Sequence, residues 1–402
     1  MSHNVLAPFV RGARTVAVFL PVALAACASS TSAPDGEAAA SSARIVRGTN
    51  SDDTQNAVVL LMHLDMKSGE VGSCTGTLLA PKLVLTARHC VAKTDEGALC
   101  SPAGSPIQGA KVYSNHAADT LYVYTGTKRP SFGPNILKEA AGRGASLFVP
   151  DAKTLCDADI ALVVLQEPVK DAQIAPVRLD ADPEKGETYT AVGWGITDKT
   201  QEPSTRQQRT GIKILEVGPG RDVSKNEFLV GEGICSGDSG GPAISEKGSV
   251  LGVVSRGGNG TGSQGASGCI NAQNIYTKVA GYKDLVLSAY AEAGQDPWIE
   301  GQPDPRLAKV GEACEANEAC RSGACEANVC AQKCDDGSAC PEGQVCTAGI
   351  CKVPPPPPKK TDSGGSGGGG CASAGGSAGS LGSLGAVVAL ALALVLRRRR
   401  AV

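Results

Sequence analysis

Gly237-Asp238-Ser239-Gly240-Gly241-Pro242 sets a serine hydroxyl on a tight, glycine-bracketed turn. Glycine lets the backbone approach a substrate closely and aim amides at it. A serine hydroxyl is a poor nucleophile near neutral pH, so it needs a base to take its proton as it attacks. Thr86-Ala87-Arg88-His89-Cys90 lies upstream and offers an imidazole, which accepts and returns protons in that range. Between the two, Asp157-Ala158-Asp159-Ile160-Ala161-Leu162 offers a carboxylate. Such a group can fix the imidazole's tautomer and stabilise its charged form. The chain order is His, Asp, Ser, so only folding can bring the three together. His3, His63 and His116 have no comparable context and read as core or surface residues.

The elements that must position these groups are short. From Ile45 to about Val254, apolar runs such as Ala57–Leu61, Lys82–Leu85, Ile160–Leu165, Tyr189–Val192 and Val250–Val254 alternate with Gly/Pro/Asn/Asp clusters. That pattern predicts an all-β barrel or sandwich. Abundant glycine (51) and few aromatics (3%) also favour loops and strands over a helical bundle. Residues 282–293 have helical spacing and predict a terminal helix.

The chain resembles the trypsin/chymotrypsin family of serine proteases over roughly residues 45–293. The resemblance rests on Ile45-Val46-Arg47-Gly48, Thr86–Cys90, Asp159-Ile160-Ala161-Leu162, Gly193-Trp194-Gly195, Gly237–Pro242, Ser255-Arg256-Gly257 and Ile275-Tyr276-Thr277-Lys278-Val279, in that order. It implies two antiparallel β-barrels with a short C-terminal helix, and peptide-bond hydrolysis through an acyl-enzyme. Ser239 is then the nucleophile, His89 the base, and Asp159 rather than Asp157 the carboxylate. The backbone amides of Gly237 and Ser239 would bind the oxyanion. Family positions also imply the disulfides Cys74–Cys90 and Cys235–Cys269. Cys100 and Cys156 remain, bracketing a long insertion between His89 and Asp159, and are expected to pair. The rival reading of the whole is a non-catalytic surface binding or adhesion protein on a protease scaffold.

The same resemblance makes Arg44-Ile45 an activation cut, after which the Ile45 ammonium would pair with Asp238. The primary pocket maps onto Gly233, Ile234, Ser255, Gly257 and Asn274. Gly233 stands where a trypsin carries aspartate, and an unpaired cation would be desolvated there at a cost of several kcal/mol. Small, apolar or uncharged side chains are therefore expected rather than Arg or Lys. Arg256 replaces the aromatic usual after Ser255. An activating protease other than this chain is expected to cut after Arg44.

Sixteen cysteines imply an oxidising compartment. Eight of them (Cys314, Cys320, Cys325, Cys330, Cys334, Cys340, Cys346 and Cys351) crowd a stretch too short for an ordinary apolar core. Disulfides must hold it, in a pairing that spacing leaves open. The stretch lacks the Cys-x-x-Cys pairs and histidines of a zinc cluster.

The termini read as addresses. Residues 1–27 form a signal peptide ending in Leu24-Ala25-Ala26-Cys27, a lipobox-like site for lipidation, and 28–44 a propeptide. The protease domain is assigned to 45–294, a linker to 295–311, the cysteine module to 312–352, and a Pro/Gly/Ser-rich stalk to 353–370. Residues 371–402 resemble the C-terminal sorting tag of myxobacterial surface proteins, with Cys371, an apolar helix and Arg397–Arg400. Leu381–Leu396 would span about 24 Å as a helix, a little under the bilayer's hydrocarbon core. The expected partners are a protein or peptide substrate, the activating protease and the cell envelope. The net charge of −2 and the absence of a basic patch argue against nucleic acid. No cofactor and no metal site is expected.

Overall fold

The computed structural model describes residues 45–197, 203–258, 268–335 and 340–354. Cys27, Arg44 and Cys371 lie outside these residues, as do the signal, propeptide, most of the stalk and the tag.

Alternating apolar runs close into two six-stranded antiparallel barrels. The first uses β1 (Val58–Asp65), β2 (Glu70–Ala80), β3 (Leu83–Thr86), β4 (Leu121–Tyr124), β5 (Gly142–Phe148) and β6 (Ala161–Leu165), in the order β5-β6-β3-β2-β1-β4. Val59, Leu61, Leu78, Val84, Val123 and Val163 fill its interior. The second uses β7 (Thr188–Gly193), β8 (Gln207–Val217), β9 (Glu227–Val230), β10 (Pro242–Ser245), β11 (Val250–Gly258) and β12 (Gln273–Lys278). Its order is β8-β7-β10-β11-β12-β9, closed by β8 against β9. Ile45, Tyr189, Ile214, Phe228 and Tyr276 pack inside it. Closure removes the exposed edges an open sheet would leave.

Helix α1 (Lys283–Ala293) buries Val286, Ala289, Tyr290 and Ala293, one face at i, i+3, i+4, i+7 spacing. That face meets Leu79, Leu83 and Leu162 of the first barrel in a cluster that also takes Val250 and Val253 of the second. The helix thereby helps fasten one barrel to the other.

Three disulfides tie the barrel region: Cys74–Cys90, Cys100–Cys156 and Cys235–Cys269. The insertion after Cys90 folds as paired strands 92–94/112–115 and 98–100/106–109. The Cys100–Cys156 bond joins it to the segment entering Asp159.

The eight clustered cysteines form Cys314–Cys325, Cys320–Cys330, Cys334–Cys346 and Cys340–Cys351. This is one pattern used twice: first to third, second to fourth. Each half ends in a small hairpin, Cys325–Glu326 with Val329–Cys330 and Val345–Thr347 with Ile350–Lys352.

The segment expected as a plain linker is fastened down. The Val177 amide donates to the Trp298 carbonyl (2.8 Å), and the Glu300 amide returns a bond to the Val177 carbonyl (3.0 Å). Arg178 grips both carboxylate oxygens of Glu300, with Nη2 to Oε1 at 2.9 Å. A bidentate, charge-assisted pair of this kind is stronger than a neutral hydrogen bond and fixes the geometry of the segment that carries it.

Candidate active site

Strand pairing brings the imidazole and the carboxylate together. β3 and β6 are antiparallel with Thr86 opposite Ala161. Residues just after β3 therefore lie beside residues just before β6. His89 sits there, in the short turn Arg88–Cys90, and Asp159 faces it. His89 Nδ1 donates to Asp159 Oδ2 (2.8 Å) and the His89 amide donates to Oδ1 (3.0 Å). Ser255 Oγ, on β11, adds a third donor to Oδ2 at 2.7 Å.

These contacts set the charges. Asp159 is 1% exposed, and burial alone would raise its pKa. The His89 charge and the hydrogen bonds from His89 and Ser255 outweigh burial and hold it low. Burial would likewise depress His89, but the charge and hydrogen bond of Asp159 prevail and hold the imidazole above its ordinary value. Asp157 is occupied elsewhere: its carboxylate accepts from the Asn226 amide (2.5 Å) and Nδ2 (3.0 Å).

Ser239 precedes β10 and lines, with His89 and Asp159, a cleft of about 700 Å³ between the barrels. Gly237 has φ +96°, in the range where a side chain is strained. Its carbonyl accepts from Thr75 Oγ1 (2.9 Å), and the Thr75 amide donates to the Ser239 carbonyl (2.8 Å). The Gly237 and Ser239 amides donate to nothing among the described residues.

Sequence reasoning missed Thr75. It is fully buried on β2, and its hydroxyl also accepts from the Trp194 amide (3.0 Å). One threonine of the first barrel thus holds two loops of the second. Only its place beside Cys74 hinted at this. Arg88 was also passed over. It is 8% exposed, and its Nε and Nη1 are buried with no partner among the described residues. Burial pushes this guanidinium down, against the pull of Asp159.

Ile234, Ser255, Gly257 and Asn274 line the cleft. Ser255, placed by sequence in the specificity pocket, gives its hydroxyl to Asp159. Gly233 lies against the second-barrel core, where an added Cβ would meet Ile212 Cδ1 at 2.6 Å. Asn274 Nδ2 donates to the Gly231 carbonyl (2.9 Å), and its Oδ1 lies 2.1 Å from where a Gly257 Cβ would be. No larger residue fits at 257 unless Asn274 moves. Arg256, which also lines the cleft, pairs its guanidinium with the fully buried Glu227, with Nη1–Oε1 at 2.6 Å and Nη2–Oε2 at 2.9 Å. Across the cleft, Asp95 and Glu96 of the insertion form part of the rim.

Asp238 is 1% exposed and accepts from the Gly195 (2.8 Å) and Cys235 (2.9 Å) amides. Burial pushes its carboxyl up to about 7 despite those bonds. Ile45 is fully buried in the same barrel.

Residues 45–286 match the family model described as Trypsin. The chain belongs to the trypsin family. Among curated relatives of this trypsin-family chain, a protein C activator of Agkistrodon piscivorus leucostoma is 30% identical over 227 residues, covering 54% of this chain and 76% of its own. Trypsin eta of Drosophila erecta is 25% identical over 277 residues, 63% of this chain and 90% of its own. A cercarial protease of Schistosoma mansoni is 30% identical over 205 residues, 46% and 70% respectively.

Proposed function

We propose that this chain is an exported serine endopeptidase, made as a zymogen and held at the cell envelope. The observation that carries the reading is the Asp159 carboxylate. It takes two bonds from His89 and one from Ser255 in a cleft that also holds Ser239.

In this reading Ser239 Oγ attacks the scissile carbonyl carbon while its proton passes to His89 Nε2. Asp159 holds the imidazole through Nδ1 and stabilises the cation that forms. The carbonyl oxygen, now an anion, accepts from the Gly237 and Ser239 amides, where one donor is worth about 3 kcal/mol. His89 returns the proton to the leaving amine, and the acyl-enzyme forms. Water then repeats the sequence and frees Ser239.

Cleavage after Arg44 would place the Ile45 ammonium in the second barrel with Asp238, giving that buried carboxylate a cation. Among the described residues lining the cleft, the carboxylates are Asp95, Glu96 and Asp159, and none comes from 234–236 or 254–258. This supports preference for small, apolar or uncharged side chains and cutting of Arg44 by another protease. Seven disulfides support export to an oxidising compartment. The cut would also part the enzyme from any lipid on Cys27, leaving attachment at Cys371.

A fluorophosphonate probe tests the central claim. It should label the form cut after Arg44 at Ser239 and leave Ser239→Ala unlabelled. A cut protein that resists the probe and hydrolyses no peptide in a mixed library would end the reading.

A further inference from the structure

His63 and His116 stack face to face, with ring centroids 3.7 Å apart and planes 21° from parallel. They come from separate places. His63 lies on β1, opposite both Gly72 of β2 and Leu121 of β4. His116 follows the return strand of the insertion, where its amide donates to the Val91 carbonyl (2.8 Å). Glu70 opens β2 beside them. One ligand atom from each of the three side chains lies within 4.8 Å of the others.

Neither imidazole makes a hydrogen bond among the described residues, although His63 is only 7% exposed. Two imidazoles with no hydrogen-bond partner among the described residues, next to a carboxylate, form a nitrogen-and-oxygen donor set. Calcium and magnesium prefer all-oxygen shells, whereas two histidines and a carboxylate suit zinc.

We propose that His63, Glu70 and His116 form a zinc site that fastens the insertion to the first barrel. Tetrahedral geometry at ~2.1 Å asks for donor separations of about 3.4 Å, so the widest pair needs to close by roughly 1.4 Å at most, and the two stacked rings must turn out of their near-parallel arrangement so that their in-plane lone pairs converge on the ion. Lys93 is the built-in competitor. Its ammonium lies 3.2 Å from Glu70 Oε2, with the two side chains 55% and 40% exposed. Pairs that exposed contribute little, so the ion displaces the ammonium. Lys93 and His116 flank the insertion whose residues Asp95–Ala98 line the cleft. Metal at its base would therefore steady one rim of the cleft from outside it.

Equilibrium dialysis of the full exported chain against zinc chloride tests this. Using the Ser239→Ala background prevents self-digestion and makes the result independent of the protease reading. The expected result is one zinc per chain, at least tenfold weaker affinity in Glu70→Gln and in His116→Gln, and tighter affinity in Lys93→Met. Cobalt bound in place of zinc should show four-coordinate visible absorption, lost in His116→Gln. If the parent chain holds no zinc at micromolar concentrations, or holds it equally in all four proteins, the site does not exist. Should His116→Gln fail to fold, Lys93→Met still decides: unchanged or weaker affinity overturns the proposal.

Discussion

Thr75 occupies the seam between barrels, where its hydroxyl serves the Gly237 carbonyl and the Trp194 amide together. Thr75→Val keeps the shape and strands both buried groups, at roughly 1–3 kcal/mol apiece. We expect kcat to fall with KM little changed, because the loop carrying the proposed oxyanion donors loses its brace; an unaltered kcat would show the loop to be self-supporting. For His89 the sign follows from its raised pKa. The imidazole must be neutral to act as base, so kcat/KM should decline as pH drops through a value above 6.5. Asp159→Asn leaves burial as the main influence on the ring. Its acid limb should move to lower pH while the plateau drops by about 10⁴-fold. A pH–rate profile of both proteins checks this. The chemistry-bearing residues were legible because each sits in a distinctive local run. Thr75, and the hydroxyl of Ser255 on Asp159, were not, because their partners are 162, 119 and 96 residues away and nothing local announces them.

The β3–β6 pairing explains why two distant short runs suffice to build the imidazole–carboxylate pair: register alone sets His89 beside Asp159. Strand periodicity and turn residues made the barrels readable, and i, i+3, i+4 spacing made α1 readable. The insertion was legible as extra length between His89 and Asp159 and in the Cys100–Cys156 bond, but not in its paired strands. Its small core of Ala92, Ala110, Val112, Leu155 and Cys156 pools residues from both its ends. The Cys100–Cys156 bond closes that unit three residues before Asp159. The double variant Cys100→Ser/Cys156→Ser should therefore raise KM for extended peptides several-fold while barely changing turnover of a small ester, which does not reach the rim. Equal losses on both substrates would mean that the bond supports the triad itself. Likewise, the anchoring of Trp298–Gln302 was invisible, since a Pro-containing stretch carries no sign that Arg178 awaits Glu300.

At the scale of the whole molecule, if the chain is cut after Arg44 as proposed, the uncut form carries a cost at Asp238. Its carboxyl titrates near 7 in the fold against an ordinary 3.8. Between those values the folded state holds a proton that the unfolded chain has lost, so stability falls as pH rises, by about 1.4 kcal/mol per unit. Urea denaturation from pH 4 to pH 8 should show that decline in the uncut protein and a flatter course in uncut Asp238→Asn. After the cut the ranking should reverse, with Asp238→Asn the less stable protein at neutral pH. A decline unaffected by Asp238→Asn would assign it to other groups. Glu300 has the opposite sign. Its bonds to Arg178 hold it at about 2, below the ordinary 4.5. Its contribution is full above the ordinary value and fades as acid approaches 2, so Glu300→Gln should flatten the acid side of the stability curve.

The crosslink pattern used twice, in residues 314–330 and again in 334–351, has a mechanical meaning. Each half is laced shut within itself, so if the chain is attached beyond residue 354 as proposed, drag on the barrels would meet two covalent knots in series. Under load such a segment yields hardly any length, and reducing one knot slackens that knot alone. A leash built this way would keep its reach constant in flowing surroundings.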